Sequence, residues 1–273
     1  MDETTANRVF LRFDQLQDWK EGATDQARGI PPPPNQKPYP EDGVLIDLRD
    51  PAELIIGRVP LIDVIRHRRS QRKFTGGSLS VEELSFLLWA IQGVDDEATH
   101  AFREWLAEQI GIPAATIGAT LRTVPSAGAC HPFEVYLLAK RVNSLEPGIY
   151  RYLAMEHKLL AVCPQSALGE SAGATFEEQT AAERAAAIVW TALPYRTEWR
   201  YGLLAHKMIA QEAGHVCQNL YLACDAIGAG TVTVMYDQAR IDELLGVDGE
   251  DEFAVCLAHI GKSATDEQLR GSA

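Results

Sequence analysis

The run Glu134–Ala139 (EVYLLA) is the feature that most restricts what this chain can fold into. It is continuously apolar and only as long as a strand, which is the pattern of a strand covered on both faces. Such a strand requires a sheet with a layer packed on each side. Further strands are expected nearby. After the Pro147-Gly148 turn, Ile149–Leu153 and Leu159–Val162 form a hairpin around Met155-Glu156-His157-Lys158. Thr231–Met235 and Phe253–Ile260 complete the set, while Ala185–Leu193 fits a buried strand or a buried helical segment equally well.

The helices carry clear punctuation. Pro60 suits a first helical turn, with Leu61, Val64 and Ile65 at helical spacing behind it. Ser80 and Glu83 form a capping box, Leu79 and Leu84 staple it, Leu84, Leu87, Leu88 and Ile91 line one face, and Gly93 stops the helix. A helical insertion carries Phe102, Trp105 and Leu106 and stops at Gly111. From about Tyr201 to Ile227 a long helix is apolar nearly all round, which places it inside a domain or a subunit interface. A short helix ends at Leu244-Leu245-Gly246. Helices and strands mix without βαβ alternation or internal repeat, so the fold class is α+β. The first 55 residues differ: Phe10–Trp19 suits a short amphipathic turn, and Pro31–Pro34, Pro38 and Pro40 force an extended path. The expected organisation is an arm over 1–55, a folded domain over 56–263 and a tail over 264–273.

Composition narrows function mainly by exclusion. A length of 273 residues with 46% hydrophobic residues allows one large domain with a sizeable core. A net charge of −13 argues against coating nucleic acid or an anionic membrane. The sequence has no apolar run of membrane-spanning length and no signal-peptide order at Met1–Thr5. The five scattered cysteines read as reduced thiols, so a cytoplasmic protein is expected. There is no HExxH, zinc-spaced cysteine pair, GxSxG or Walker loop. Glu212 and His215 have the Glu-x-x-His spacing, but a di-iron centre needs two copies, so no metal is expected and His215 reads as packed or hydrogen-bonded.

Four constellations remain. Arg66–Lys73 holds five cations in eight residues, where random placement of the chain's 25 gives about 0.7. Guanidinium groups grip phosphate bidentately, and Ser70 adds a hydroxyl; a solvated basic helix end is the plainer reading. Pro125–Pro132 is a loop of small residues that would let a backbone approach a flat ligand, or simply an ordinary loop. Gly228-Ala229-Gly230-Thr231 follows a helix and precedes a strand, the wrong order for a dinucleotide fingerprint and the right one for a helix cap and turn. Glu198–Gly202 sets aromatic and basic groups at a helix entrance, either over a ligand or as an anchor.

Taken in order, Arg68–Phe74, Leu79–Leu84, Pro125–Ala129 with Pro132 and Glu134–Tyr136, Pro147–Tyr152, Trp199–Gly202 and Glu212–Leu220 with Gly228–Gly230 resemble the nitroreductase family, in its SagB-type dehydrogenase branch, over about residues 57–262. The resemblance implies an intertwined homodimer with a central mixed or antiparallel sheet and FMN in a cleft between subunits. It implies that Arg68, Arg69, Ser70 and Arg72 cradle the phosphate and ribityl chain, with Lys262 as a late basic partner. Pro125, Ser126, Ala127 and Gly128 would approach the flavin ring from the other subunit, and Gly230 and Thr231 would offer backbone donors near its reactive nitrogen. The implied activity is hydride transfer through flavin, to or from a small-molecule or peptide substrate, with NAD(P)H as a possible donor.

One position departs from the branch. Members that oxidise azolines to thiazoles and oxazoles on ribosomal peptides carry a Lys-Tyr pair where this chain has Arg200-Tyr201. Lysine can shed a proton when buried; arginine effectively cannot. Arg200 is left to bind an anion or orient a substrate, and Tyr201 is the remaining proton-transfer candidate. Azoline dehydrogenase and a non-catalytic flavin-binding partner subunit are therefore the alternative readings.

Overall fold

A computed structural model describes residues 8–11, 24–111, 113–114, 117–164 and 183–263. Most of the predicted Phe10–Trp19 turn and the 264–273 tail lie outside the described residues; Arg8–Leu11 is a single 3-10 turn. The centre is a seven-stranded sheet of β1 (Leu45–Asp47), β2 (Phe133–Ala139), β3 (Gly148–Leu153), β4 (Lys158–Pro164), β5 (Ala186–Ala192), β6 (Ala229–Thr233) and β7 (Phe253–Lys262). Its order is β1-β4-β3-β2-β5-β7-β6, and every neighbouring pair is antiparallel. The ambiguous segment before Leu193 is a strand, paired on one side with β2 and on the other with β7. Burial on both faces explains why it carried no alternation.

The pleat of β2 sends Val135, Leu137 and Ala139 into one core and Tyr136 and Leu138 into another. The first core is closed by α2 (Val81–Gln92) and α5 (Ala205–Ala226), through Leu84, Leu88, Val216 and Leu220. The second is closed by α6 (Gln238–Leu245), through Ile241 and Leu245. The remaining helices are α1 (Leu61–His67), α3 (Asp96–Ile110) and α4 (Tyr195–Tyr201). The capping box of α2 forms as expected: Glu83 N donates to Ser80 Oγ at 3.1 Å and Ser80 N to Glu83 Oε2 at 2.9 Å.

The long helix begins later than expected: α5 starts at Ala205 rather than about Tyr201, because a separate helix, α4, ends at Tyr201 and Gly202 turns the chain with φ +52 between them. In the single chain one face of α5, at Ala210, Gln211, Gly214, His215 and Gln218, is not covered by the domain. The proline-rich arm runs extended over its own chain and ends in β1, the edge strand. Lys37 N donates to Glu134 Oε1 at 2.7 Å, Lys37 Nζ pairs with the buried Glu252, and Arg151 donates to the Lys37 and Pro38 carbonyls, each at 3.0 Å. Glu252 also accepts from Thr191 Oγ1 at 2.7 Å and Tyr136 Oη at 3.0 Å, so the arm closes a buried polar network over the sheet.

Candidate functional site

The cationic cluster begins where α1 ends. The Arg68 backbone leaves the helix extended, and Ser70 pairs with Thr231 in a parallel bridge, laying the segment beside β6. Gln71 N donates to the Thr231 carbonyl at 3.0 Å. The Arg68 guanidinium sits 5.5 Å from the Tyr221 ring centroid, and Ser70 Oγ lies 3.4 Å from Tyr221 Oη. Arg69 turns back to donate to the carbonyls of Arg66 (2.9 Å) and Arg68 (2.8 Å), capping the helix end. Arg66 pairs with Asp63 at 3.8 Å, but among the described residues no carboxylate lies within 4 Å of Arg68, Arg69 or Arg72. Asp225 on α5 is the acid that senses them: burial raises its pKa, and His67, Arg68 and Arg69 pull it back. Lys262, at the end of β7, pairs with Glu83 of the α2 capping box.

Gly230 and Thr231 have packing reasons of their own. A Cβ on Gly230 would stand 2.6 Å from Gln71 Cβ. The buried Thr231 hydroxyl donates to the His259 carbonyl at 2.8 Å.

The second constellation is a loop clamped by α5. Ala127 N donates to Glu212 Oε1 at 2.8 Å, while Asn219 Nδ2 donates to the Ala90 and Thr123 carbonyls at 2.9 and 3.3 Å. Glu212 and Asn219 are seven residues apart, nearly two turns, so they share a helix face. His131 N donates to Ser126 Oγ at 2.9 Å. The loop is wound through left-handed residues at Gly128, Ala129 and His131 (φ +58, +55 and +45).

This loop and the Trp199–Gly202 segment form a single site. A Cβ on Gly128 would meet Tyr201 Oη at 2.7 Å and Arg200 Cδ at 2.9 Å. Arg200 NH1 donates to the Gly128 carbonyl at 3.3 Å, and its guanidinium stands 5.6 Å from the Tyr201 ring centroid. Burial pushes the Tyr201 phenol up, opposed by Arg200, so at neutral pH it holds its proton and can donate it. Burial also raises Glu212, against the bonds from Ala127 and Ser126 that lower it. Cys130, pushed up to about 11 by burial, is a neutral thiol.

The sequence reading of Glu212 stopped at the rejected metal motif. No local signal marks Glu212 as a loop clamp, because its partner, the Ala127 N–H, lies 85 residues away in sequence. Among the described residues no group of three His, Cys, Asp or Glu side chains could hold a metal.

The two constellations do not meet within one chain. Glu212 marks one on α5 and Tyr221 the other; nine residues separate them, about 13 Å of rise and two and a half turns, so they occupy opposite sides of the helix. The chemistry divides accordingly. One end offers guanidinium groups with no carboxylate at ion-pair distance among the described residues, and a hydroxyl, suited to a dianion; the other offers a protonated phenol and a guanidinium beside exposed backbone.

Comparison with known proteins places the chain. A Methanocaldococcus jannaschii protein named as a nitroreductase is 31% identical over 209 residues, 76% of this chain and 93% of that one. The microcin B17-processing protein McbC of Escherichia coli is 28% identical over 160 residues, 56% of this chain and 58% of McbC. Among solved structures, a nitroreductase of Ralstonia eutropha superposes with a TM-score of 0.59 at 23% identity, covering 86% of this chain and 99% of that one. A chain of the E. coli microcin synthetase McbBCD complex with truncated pro-MccB17 bound gives 0.57 at 20% identity, covering 85% and 79%. No helix among the described residues is long and apolar enough to cross a membrane. The profile of the nitroreductase family matches residues 65–262, and the chain belongs to that family, whose members are generally flavin oxidoreductases.

Proposed function

We propose that this protein is an FMN-dependent oxidoreductase of the SagB-like dehydrogenase type, working as a homodimer on a small-molecule or peptide substrate. The observation that carries the reading is the cluster of Arg68, Arg69 and Arg72, without a carboxylate within ion-pair distance among the described residues and beside the Ser70 hydroxyl at the edge of β6. In a chain of net charge −13, a charge concentration of that kind fits a phosphate dianion. Bound there, FMN supplies hydride chemistry. Arg68, Arg69, Ser70 and Arg72 hold its phosphate end, and Lys262 joins them when released from Glu83. Gly230 and Thr231 form the backbone wall beside the ring. Pro125, Ser126, Ala127 and Gly128 of the partner subunit cover it. Arg200 orients the substrate, and the protonated Tyr201 phenol delivers or holds a proton.

The homodimer rests on two features. The cradle and the clamped loop lie on opposite sides of α5 and so need a second copy to face each other. α1 also exposes Leu61, Ile62 and Ile65 at 62%, 56% and 58%, an apolar stripe suited to burial against a partner. The test is the visible spectrum of the purified protein, before and after anaerobic NADPH and NADH. A flavin spectrum that bleaches supports the reading with a nicotinamide donor. A protein that takes up no FMN even on reconstitution overturns it.

The similarity to McbC favours a second reading, azoline oxidation on a ribosomal peptide within a multi-protein complex. Arg200 counts against it, because a guanidinium does not serve as the base. Oxidation of a thiazoline model peptide, lost in Tyr201→Phe, would establish it. Flavin that no donor reduces, with co-purifying proteins, would instead favour a non-catalytic partner subunit.

A further inference from the structure

Beside the Gly128–Cys130 loop lies a cavity of about 260 Å³, roofed by the proline arm at Pro32 and Pro33 and walled by Leu106 and Ile117. Its charged lining is one-sided: Arg196 and Arg200 line it, and among the described residues no aspartate or glutamate does. Arg196 is already neutralised, because its NH2 bonds Glu134 Oε1 at 2.5 Å and both side chains are 3% exposed. Arg200 is not. It donates to one backbone carbonyl and lies over Tyr201, and among the described residues no carboxylate lies within 4 Å of it. Cys130 stays a neutral thiol, so it adds no counter-charge. The cavity is thus a small apolar slot with one open guanidinium, and a guanidinium pairs best with a planar carboxylate through two parallel hydrogen bonds. Its volume, just below the range usual for small-molecule sites, suits at most a single-ring body.

We infer that this cavity is a carboxylate subsite for the substrate: a small planar acid, aromatic or conjugated, seats its carboxylate on Arg200 and its apolar body against Leu106, Ile117 and the Pro32-Pro33 roof. Its role rests on the oxidoreductase reading, because Gly128 belongs both to the cavity wall and to the loop assigned to the flavin ring. Its ligand chemistry rests on the cavity alone.

The test is isothermal titration of the full chain, with and without FMN, using benzoate and its neutral isostere benzamide; flavin uptake is read separately by absorbance. Benzoate is expected to bind at least roughly tenfold tighter than benzamide, the difference attached to one charge-assisted hydrogen-bonded pair. Arg200→Gln should erase that difference, Arg200→Lys should keep part of it, and Leu106→Trp, which fills the slot without touching the charge, should abolish binding of both. Equal binding of benzoate and benzamide to the unaltered protein overturns the inference, as does benzoate binding that survives Leu106→Trp. If Arg200→Gln fails to fold, the benzamide comparison and Leu106→Trp still decide. A protein that takes FMN but ignores benzoate sinks the subsite and leaves the flavin reading standing. One that discriminates benzoate without ever taking FMN does the reverse.

Discussion

Glu134 is the negative pole for two buried guanidinium groups, and neutralising it is the sharpest test of how the site is held. It bonds Arg196 at 2.5 Å and acts on Arg122, whose pKa burial lowers to about 10 while Glu134 pulls it back up. It also accepts the Lys37 backbone N–H of the arm. Glu134→Gln preserves shape and an acceptor oxygen but removes the charge, leaving two buried cations uncompensated. Breaking a buried pair from one side costs about 3–5 kcal/mol, which in a chain of this size is roughly 5–15 °C in melting temperature. The assay is thermal and urea unfolding followed by circular dichroism. Arg196→Met added to Glu134→Gln should recover part of the loss, because it removes one of the stranded cations. A loss below about 1 kcal/mol for Glu134→Gln would refute the reasoning, since it would mean that solvent already balances these charges.

Three other outcomes are expected. Arg68→Ala and Arg69→Ala should each weaken FMN binding by about 1.5–3 kcal/mol, read by equilibrium titration of flavin fluorescence, and unchanged affinity in both variants would remove the cradle assignment. Gly128→Ala combines a left-handed backbone with a Cβ at 2.7 Å from Tyr201 Oη. It should cost about 1–2 kcal/mol of stability and displace Tyr201, lowering turnover in a protein that still folds; unimpaired turnover counts against the role of Tyr201. His259 is buried neutral, its pKa lowered to about 3 by burial with Arg184 adding to it, and its Nε2 faces the Arg184 guanidinium at 3.1 Å. A depressed folded value means its contribution is present above pH 6.5 and is lost as the pH falls toward 3, because the unfolded chain takes the proton first. His259→Gln should flatten the melting temperature against pH between 6.5 and 4.5, and an unchanged slope would remove His259 as a source of acid lability.

Much of the fold was legible in short patterns because local physics fixes them. The Ser80–Glu83 box and the Gly93 stop depend on neighbours a few positions away, and the apolar run Glu134–Ala139 is a strand buried on both faces; all three formed as read. Ala186–Ala192 was ambiguous because a strand buried on both faces has no alternation to display. The short helix α4 is not legible as a helix, because its seven residues carry no amphipathic repeat, and only the positive φ of Gly202 separates it from α5. β1 was missed because three residues carry too little pattern to register as a strand.

The candidate site divides in the same way. Sequence alone determined which residues are candidates for the chemistry: a cationic cluster out of proportion to an acidic chain, a small-residue loop, and an Arg-Tyr pair where the resemblance implies Lys-Tyr. Charge density and residue type are properties of the chain before it folds. Only the tertiary structure decided what each residue faces. It put Gly128 against Tyr201, gave Glu212 and Asn219 the work of clamping a loop some ninety residues away in sequence, and turned Lys262 toward Glu83. It also left Arg200 open while pairing Arg196. These are long-range outcomes of packing, set by which helix face meets which loop, and no local pattern encodes them.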